Sequence, residues 1–172
     1  AHEAFAGFVN AETEAKLVDA NACSSPHVII DGPKISIVVP IYKTPERLFR
    51  ALINSLLNQT YPAHEIILVD DSGETGSATD HLANMQVADN RVKVLHSGIN
   101  CGISEATNEG LHAVTGDFIA FADHDDELTP DALSHVAQHI LDKPDIDIWY
   151  SDQITVNEKG KLVHHFLKPE WS

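Results

Sequence analysis

Four acidic side chains, Asp123, Asp125, Asp126 and Glu127, crowd the stretch AFADHDDEL that runs from Ala120 to Leu128. The run before them, Phe118 to Ala122, is apolar and strand-like, so the carboxylates are expected where a buried strand reaches the surface. In open α/β sheets, ligands bind beyond the carboxyl ends of the strands. No Lys or Arg occurs between Lys93 and Lys143, so nothing nearby in sequence neutralises the cluster. A divalent cation would do so, because hard cations take oxygen ligands and link one or two carboxylates to substrate phosphates. An acid ahead of the helix expected from Thr129-Pro130 would also be favoured electrostatically. One acid would meet that need, whereas several repel one another. His124 could ligate a metal, although separating two carboxylates is its simpler role.

A second acidic site is Asp70-Asp71, directly after the apolar run Ile66 to Val69. A carboxylate there can accept a hydrogen bond from a nucleobase N–H or a ribose hydroxyl. The competing role is capping of the following turn. Gly98 and Gly102 bracket a loop that leads into a helix from about Ser104, so backbone N–H groups could face a phosphate; a connecting loop with two permissive glycines explains the spacing about as well. His164 and His165 are adjacent on an expected strand, so at most one can point inward. No Ser-His-Asp or Cys-His spacing, P-loop or paired CxxC is present, which removes nucleophilic proteolysis and zinc fingers from consideration.

These sites must be positioned by alternating strands and helices. Ile35 to Val39, Ile66 to Val69, Val92 to Leu95, Phe118 to Ala122 and Ile146 to Tyr150 read as five strands. Helices are expected after Thr44-Pro45, around Ala78 to Met85, from Ser104 and after Thr129-Pro130, with Thr44 and Thr129 as N-caps. Ile154 to Val156 and Leu162-Val163 flank Asn157-Glu158-Lys159-Gly160 as a hairpin. The spacing of Phe5, Phe8, Val9, Leu17 and Val18 predicts a leading helix, followed by a polar linker to residue 33. The result is an α/β class with a mostly parallel sheet covered on both faces, occupying residues 34–172.

Composition narrows the partners. At 172 residues the chain fits one domain. Its formal net charge of −15 argues against a nucleic-acid backbone or an anionic membrane surface as the main partner. No apolar run approaches the roughly 20 residues of a membrane helix. Cys23 and Cys101 do not make a disulfide framework, so a reduced, cytoplasmic setting is the simpler reading.

Taken in order, the motifs IVVPIYK, ILVDDSG, GINCGISEATNEGL, TGDFIAFADHDDELTPDAL and YSDQITVNEKGKLVHHFLKPEWS resemble those of a family 2 glycosyltransferase, over roughly Lys34 to Ser172. The likeness is to bacterial enzymes of cell-surface polysaccharide synthesis, including the rhamnosyltransferase-like group. It implies a GT-A fold, a Rossmann-like three-layer sandwich, with an inverting mechanism. It also implies a UDP- or dTDP-linked nucleotide-diphosphate sugar as donor and a Mn²⁺ or Mg²⁺ ion. By the same resemblance, Pro40 and Tyr42 line the base and ribose pocket, and Asp71, with Asp70 beside it, reads the base. Asn100, Gly102 and Asn108 match the loop and helix start near the donor. Asp123 and Asp125 match the first and last acids of the DXD motif, toward ribose and metal respectively. The general base of the family is expected beyond Ser172, with the glycan or lipid-linked acceptor site, while Asp152 matches a position near the sugar or acceptor. The implied function is that of a donor-binding portion with little transfer activity alone. The alternative is a non-catalytic nucleotide-sugar-binding or interaction module of a larger synthase. A phosphoacceptor signalling domain is disfavoured, because its acids would follow the first strand.

Overall fold

The two most continuous apolar runs become the centre of a parallel sheet. The computed structural model describes residues 2–5, 31–73, 89–157 and 160–169. After a short strand β1 (His2–Phe5), strand β2 (Ile35–Ile41) leads into helix α1 (Glu46–Leu57) and returns as β3 (Glu65–Asp70). Strand β4 (Val92–His96) follows, then helix α2 (Ile103–His112), strand β5 (Phe118–Phe121) and helix α3 (Ala132–Asp142). The sheet order is β4-β3-β2-β5, all parallel. Every residue of β2 and β3 is buried, as strands covered on both faces must be.

Helices α1 and α3 share one face. Phe49, Leu52 and Leu56 of α1 and Leu133, Ala137 and Ile140 of α3 close over Ile35, Ile37, Val39 and Ile41. Burying each large side chain of this set contributes about 1.5–3 kcal/mol. The opposite face is covered by α2, where Ala106 meets Val38, Ile67 and Val69. Gly110 allows the close approach: a Cβ there would lie 2.5 Å from Val38 Cγ1 and 3.1 Å from Val69 Cγ2.

Pro40 sits inside β2 without disrupting it. Alternate residues of a parallel strand bond to alternate neighbours, and the Val38 carbonyl accepts from Ala122 N–H on the β5 side at 3.3 Å. Pro40 therefore faces the same side, beyond the last β5 pair, Val38 with Phe121, where no donor is called for.

Three expectations are corrected. Residues 146–150 form no strand. Ile148 is 67% exposed and only Trp149 turns inward, packing edge-on against Phe118; alternating apolar residues make a strand only when a sheet edge takes up their backbone. The start of the expected leading helix is β1, which pairs antiparallel with β6 (Gln153–Val156); the rest of that helix, and the helix expected at residues 78–85, lie outside the described residues. Neither threonine caps its helix. Pro45 occupies the N-cap of α1, its carbonyl accepting from Leu48 and Phe49, and Asp131 occupies that of α3. The extended ψ of 136° at Pro45 suits the residue that turns into a helix, which displaces Thr44 one position outward. The hairpin is present: β6 pairs antiparallel with β7 (Leu162–Phe166), giving a second sheet of order β1-β6-β7.

At the amino-terminal end of the parallel strands, Glu65 is buried at 2% exposure. Its carboxylate accepts hydrogen bonds from Ser36 Oγ at 2.7 Å, from the Thr115 N–H and hydroxyl, and from Lys93 Nζ. Burial by itself would raise its pKa, but the bonds from Lys93, Ser36 and Thr115 together outweigh burial and hold it at about 2, against an ordinary 4.5. A depressed folded-state pKa gives stability that is present above the unfolded value and lost as pH falls toward the folded one. Glu65→Gln is accordingly expected to lower stability at neutral pH and to flatten the acid side of the stability curve between about pH 5 and pH 2. Denaturant midpoints measured across that range check it; parallel curves for the two proteins would refute it.

Candidate functional site

The site forms where β2, β3 and β5 end. Ile41 is level with Asp70, and Phe121 is level with Val38, so the segments that leave these strands emerge side by side. β3 and β5 lie on opposite sides of β2, two strand spacings or about 10 Å apart. Strand order also reverses beside β2, since the chain runs outward through β3 and β4 before crossing back to β5. Such a switch point is where open α/β sheets bind ligands.

On the β5 side, the acidic segment is anchored at both ends. Ala122 N–H binds the Val38 carbonyl, and Ser55 Oγ accepts from Leu128 N–H at 3.1 Å. Gln59, buried at the end of α1, donates to the Thr129 carbonyl at 2.7 Å and accepts from Leu133 N–H at 3.0 Å. Between these anchors the backbone turns, with Asp126 N–H bound to the Asp123 carbonyl at 3.2 Å. Asp126 is buried, Asp123 is exposed and Asp125 is half-buried. The Asp123 and Asp125 carboxylates have no hydrogen-bond or ion-pair partner among the described residues.

On the β3 side the two acids take different work. Asp70 accepts from Ser72 N–H at 3.0 Å and faces His96 Nδ1 at 3.4 Å. Asp71 is 2% exposed and turns toward the head of α2. Its Oδ1 accepts from Cys101 N–H at 2.7 Å, and its Oδ2 accepts from Gly102 N–H at 2.8 Å and Asn100 Nδ2 at 2.9 Å. Gly102 adopts φ +86°, a left-handed conformation open to glycine, and stands at the N-cap of α2. Asp71 thus acts as the anion at this helix start. Two of the amides that the sequence offers to a phosphate are taken by the protein's own carboxylate.

The remaining candidates are dispersed. Pro40 is buried within β2, and Tyr42 is 45% exposed just past its end. Asn108 is exposed on α2, about 9 Å along the helix from its N-cap at 1.5 Å per residue. Asp152 lies elsewhere, its Oδ1 accepting from Lys168 N–H at 2.8 Å and so fixing the end of β7. Lys43, which the sequence reading passed over, stands between the two acidic sites. The Ser55 and Gln59 anchors were also missed, because their partners lie about 70 residues downstream.

The donor set suits Mn²⁺ or Mg²⁺. Such ions keep several waters and bind through one or two carboxylates plus phosphate oxygens. Asp123 and Asp125 are two carboxylates of that kind, unpaired among the described residues. No group of three His, Cys, Asp or Glu side chains converges among the described residues, so the other ligands would come from water and from oxygens of a bound ligand.

The architecture defines an open α/β domain whose ligand end is lined by carboxylates. A family model described as glycosyl transferase family 2 matches residues 36–169, and the chain belongs to that family. It is 37% identical over 142 residues to the uncharacterized protein y4gI of Sinorhizobium fredii, covering 83% of this chain and 16% of that one. It is 33% identical over 140 residues to the O-antigen biosynthesis protein RfbC of Myxococcus xanthus, covering 81% and 11% respectively. Among solved structures, S. aureus TarS 1-349 in complex with UDP-GlcNAc matches with a TM-score of 0.58 at 28% identity, over 64% of this chain and 32% of that one. The fold is therefore the GT-A type that the motifs imply. The chain spans less than a fifth of the two sequence relatives and about a third of the solved chain. No helix among the described residues is long and apolar enough to cross a membrane.

Proposed function

We propose that this chain is the donor-binding portion of an inverting, metal-dependent glycosyltransferase. It would take a UDP- or dTDP-linked sugar and serve transfer to a glycan or lipid-linked acceptor in cell-surface polysaccharide synthesis, at a cytoplasmic site. The observation that carries this reading is the placement of Asp70-Asp71 and Asp123-Asp125 on either side of the β2 end, with Tyr42 between them. UDP-GlcNAc in the similar TarS structure agrees with the donor class.

In this reading Tyr42 offers its ring to the base, and the loop held by Asp71 forms the floor beside it. Asp123 and Asp125 would hold Mn²⁺ or Mg²⁺, which when bound acts as a Lewis acid toward the charge that develops on the leaving diphosphate. The general base that takes the acceptor proton is not among the residues brought together here.

Calorimetric titration of UDP and dTDP, with and without Mn²⁺, tests the reading. Metal-dependent binding of one nucleotide is expected. If neither binds in the presence of Mn²⁺, the proposal fails.

A further inference from the structure

We infer that Lys43 supplies a positive charge of the protein's own to the diphosphate of the donor, independent of the metal. The inference rests on the nucleotide-sugar reading above and adds to it a residue that selects for phosphate. Its first support is position: Lys43 follows β2 directly, between the two acidic sites. The segments that leave the carboxyl ends of the parallel strands, residues 42–45, 71–90, 97–102 and 122–131, contain no other Lys or Arg. A ligand carrying two phosphates and entering among Asp70, Asp71, Asp123 and Asp125 meets like charge on both sides, and Lys43 is the Lys or Arg that these strand-end segments offer against it.

The backbone supplies a second argument. Lys43 has φ +46°, a left-handed conformation that costs an L-residue roughly 1–2 kcal/mol. Lys43 N–H donates to Ser72 Oγ at 2.9 Å, and Asp71 N–H donates to the Ile41 carbonyl at 2.8 Å, so this turn is fastened to the end of β3. Glycine or asparagine would take the same conformation with less strain, so the turn does not itself require a lysine.

The side chain supplies the third. Lys43 is exposed, and its ammonium lies 5.2 Å from the centre of the Tyr42 ring. It forms no ion pair among the described residues, in a chain of net charge −15. A cation over an exposed aromatic ring is held by about 0.5–1 kcal/mol, less than a charge-assisted bond to phosphate offers. Its flexible stem allows the ammonium to leave the ring when a phosphate arrives.

The test titrates wild type, Lys43→Gln, Lys43→Asn and Lys43→Arg with UDP, and with uridine at higher concentration, in the presence and absence of Mn²⁺. Lys43→Gln and Lys43→Asn are expected to weaken UDP binding about tenfold, leaving uridine unchanged, while Lys43→Arg keeps most of the affinity. The salt dependence of UDP binding should become shallower in both neutral variants. Lys43→Asn suits the left-handed turn, so a loss shared with Lys43→Gln reports charge and not a misfolded loop. UDP affinity in the neutral variants equal to wild type overturns the inference and leaves the functional reading intact. Equal loss of UDP and uridine also overturns it, since the lysine would then act through the pocket's shape. Wild type that binds no nucleotide overturns the functional reading, and this inference with it.

Discussion

Asp71→Asn is expected to destabilise the chain by about 2–3 kcal/mol and to release the loop at the head of α2. The carboxylate accepts three hydrogen bonds between 2.7 and 2.9 Å, two of them from the backbone N–H groups of Cys101 and Gly102. Asparagine keeps one acceptor oxygen and puts an NH₂ group where the other stood, so a donor meets a donor in a site only 2% exposed. The unpaired N–H then carries its full desolvation cost. A lower denaturant midpoint together with faster hydrogen exchange at residues 100–102 would check this. Nucleotide binding should fall for uridine and UDP alike, because the pocket floor loses its support. A variant of unchanged stability that lost only base discrimination would refute this prediction and support the base-reading role implied by family resemblance.

The second large effect concerns Asp125. Its carboxylate is half-buried, lacks a partner and shares a short turn with Asp123 and Asp126. Removing it relieves repulsion, so Asp125→Ala should leave the unfolding midpoint unchanged or slightly raised. Metal-dependent UDP affinity should fall up to about 100-fold, the scale of a charge-assisted contact of about 1.5–3 kcal/mol. Calorimetry in Mn²⁺ and in EDTA separates the two effects. Equal Mn²⁺-dependent affinity in variant and wild type would remove Asp125 from the metal site.

The legible parts of the sequence were those whose physics is local. β2 and β3 are buried on both faces, which forces a continuous apolar run, and the acids that follow them fall at the strand ends by simple counting. Ile146 to Tyr150 shows the limit: its alternation is that of a strand, but whether a strand forms depends on a partner that no local pattern specifies. The helix starts failed on a similar point, since Thr-Pro marks the region of a start without choosing which residue turns into it. The hydrogen bonds of Asp71 were hidden because its three donors lie about 30 residues away. Lys43 could have been noticed as the one Lys or Arg among the strand-end segments; its left-handed backbone could not.

Glu65 has a consequence for how the chain finds this topology. Its carboxylate is satisfied by Ser36, Lys93 and Thr115, which come from β2, β4 and the turn before β5. A slip of one residue in β2 would turn Ser36 to the other face of the sheet, and a misplaced β4 would carry Lys93 away. Either error leaves a buried charge without its partners, at a cost of several kcal/mol. This knot is therefore a register check, met when three separately arriving segments are correctly aligned, and it sits at the end of the sheet away from the ligand. The alignment of the strands is thereby checked at the end opposite to the one where Asp123, Asp125 and Lys43 face a ligand.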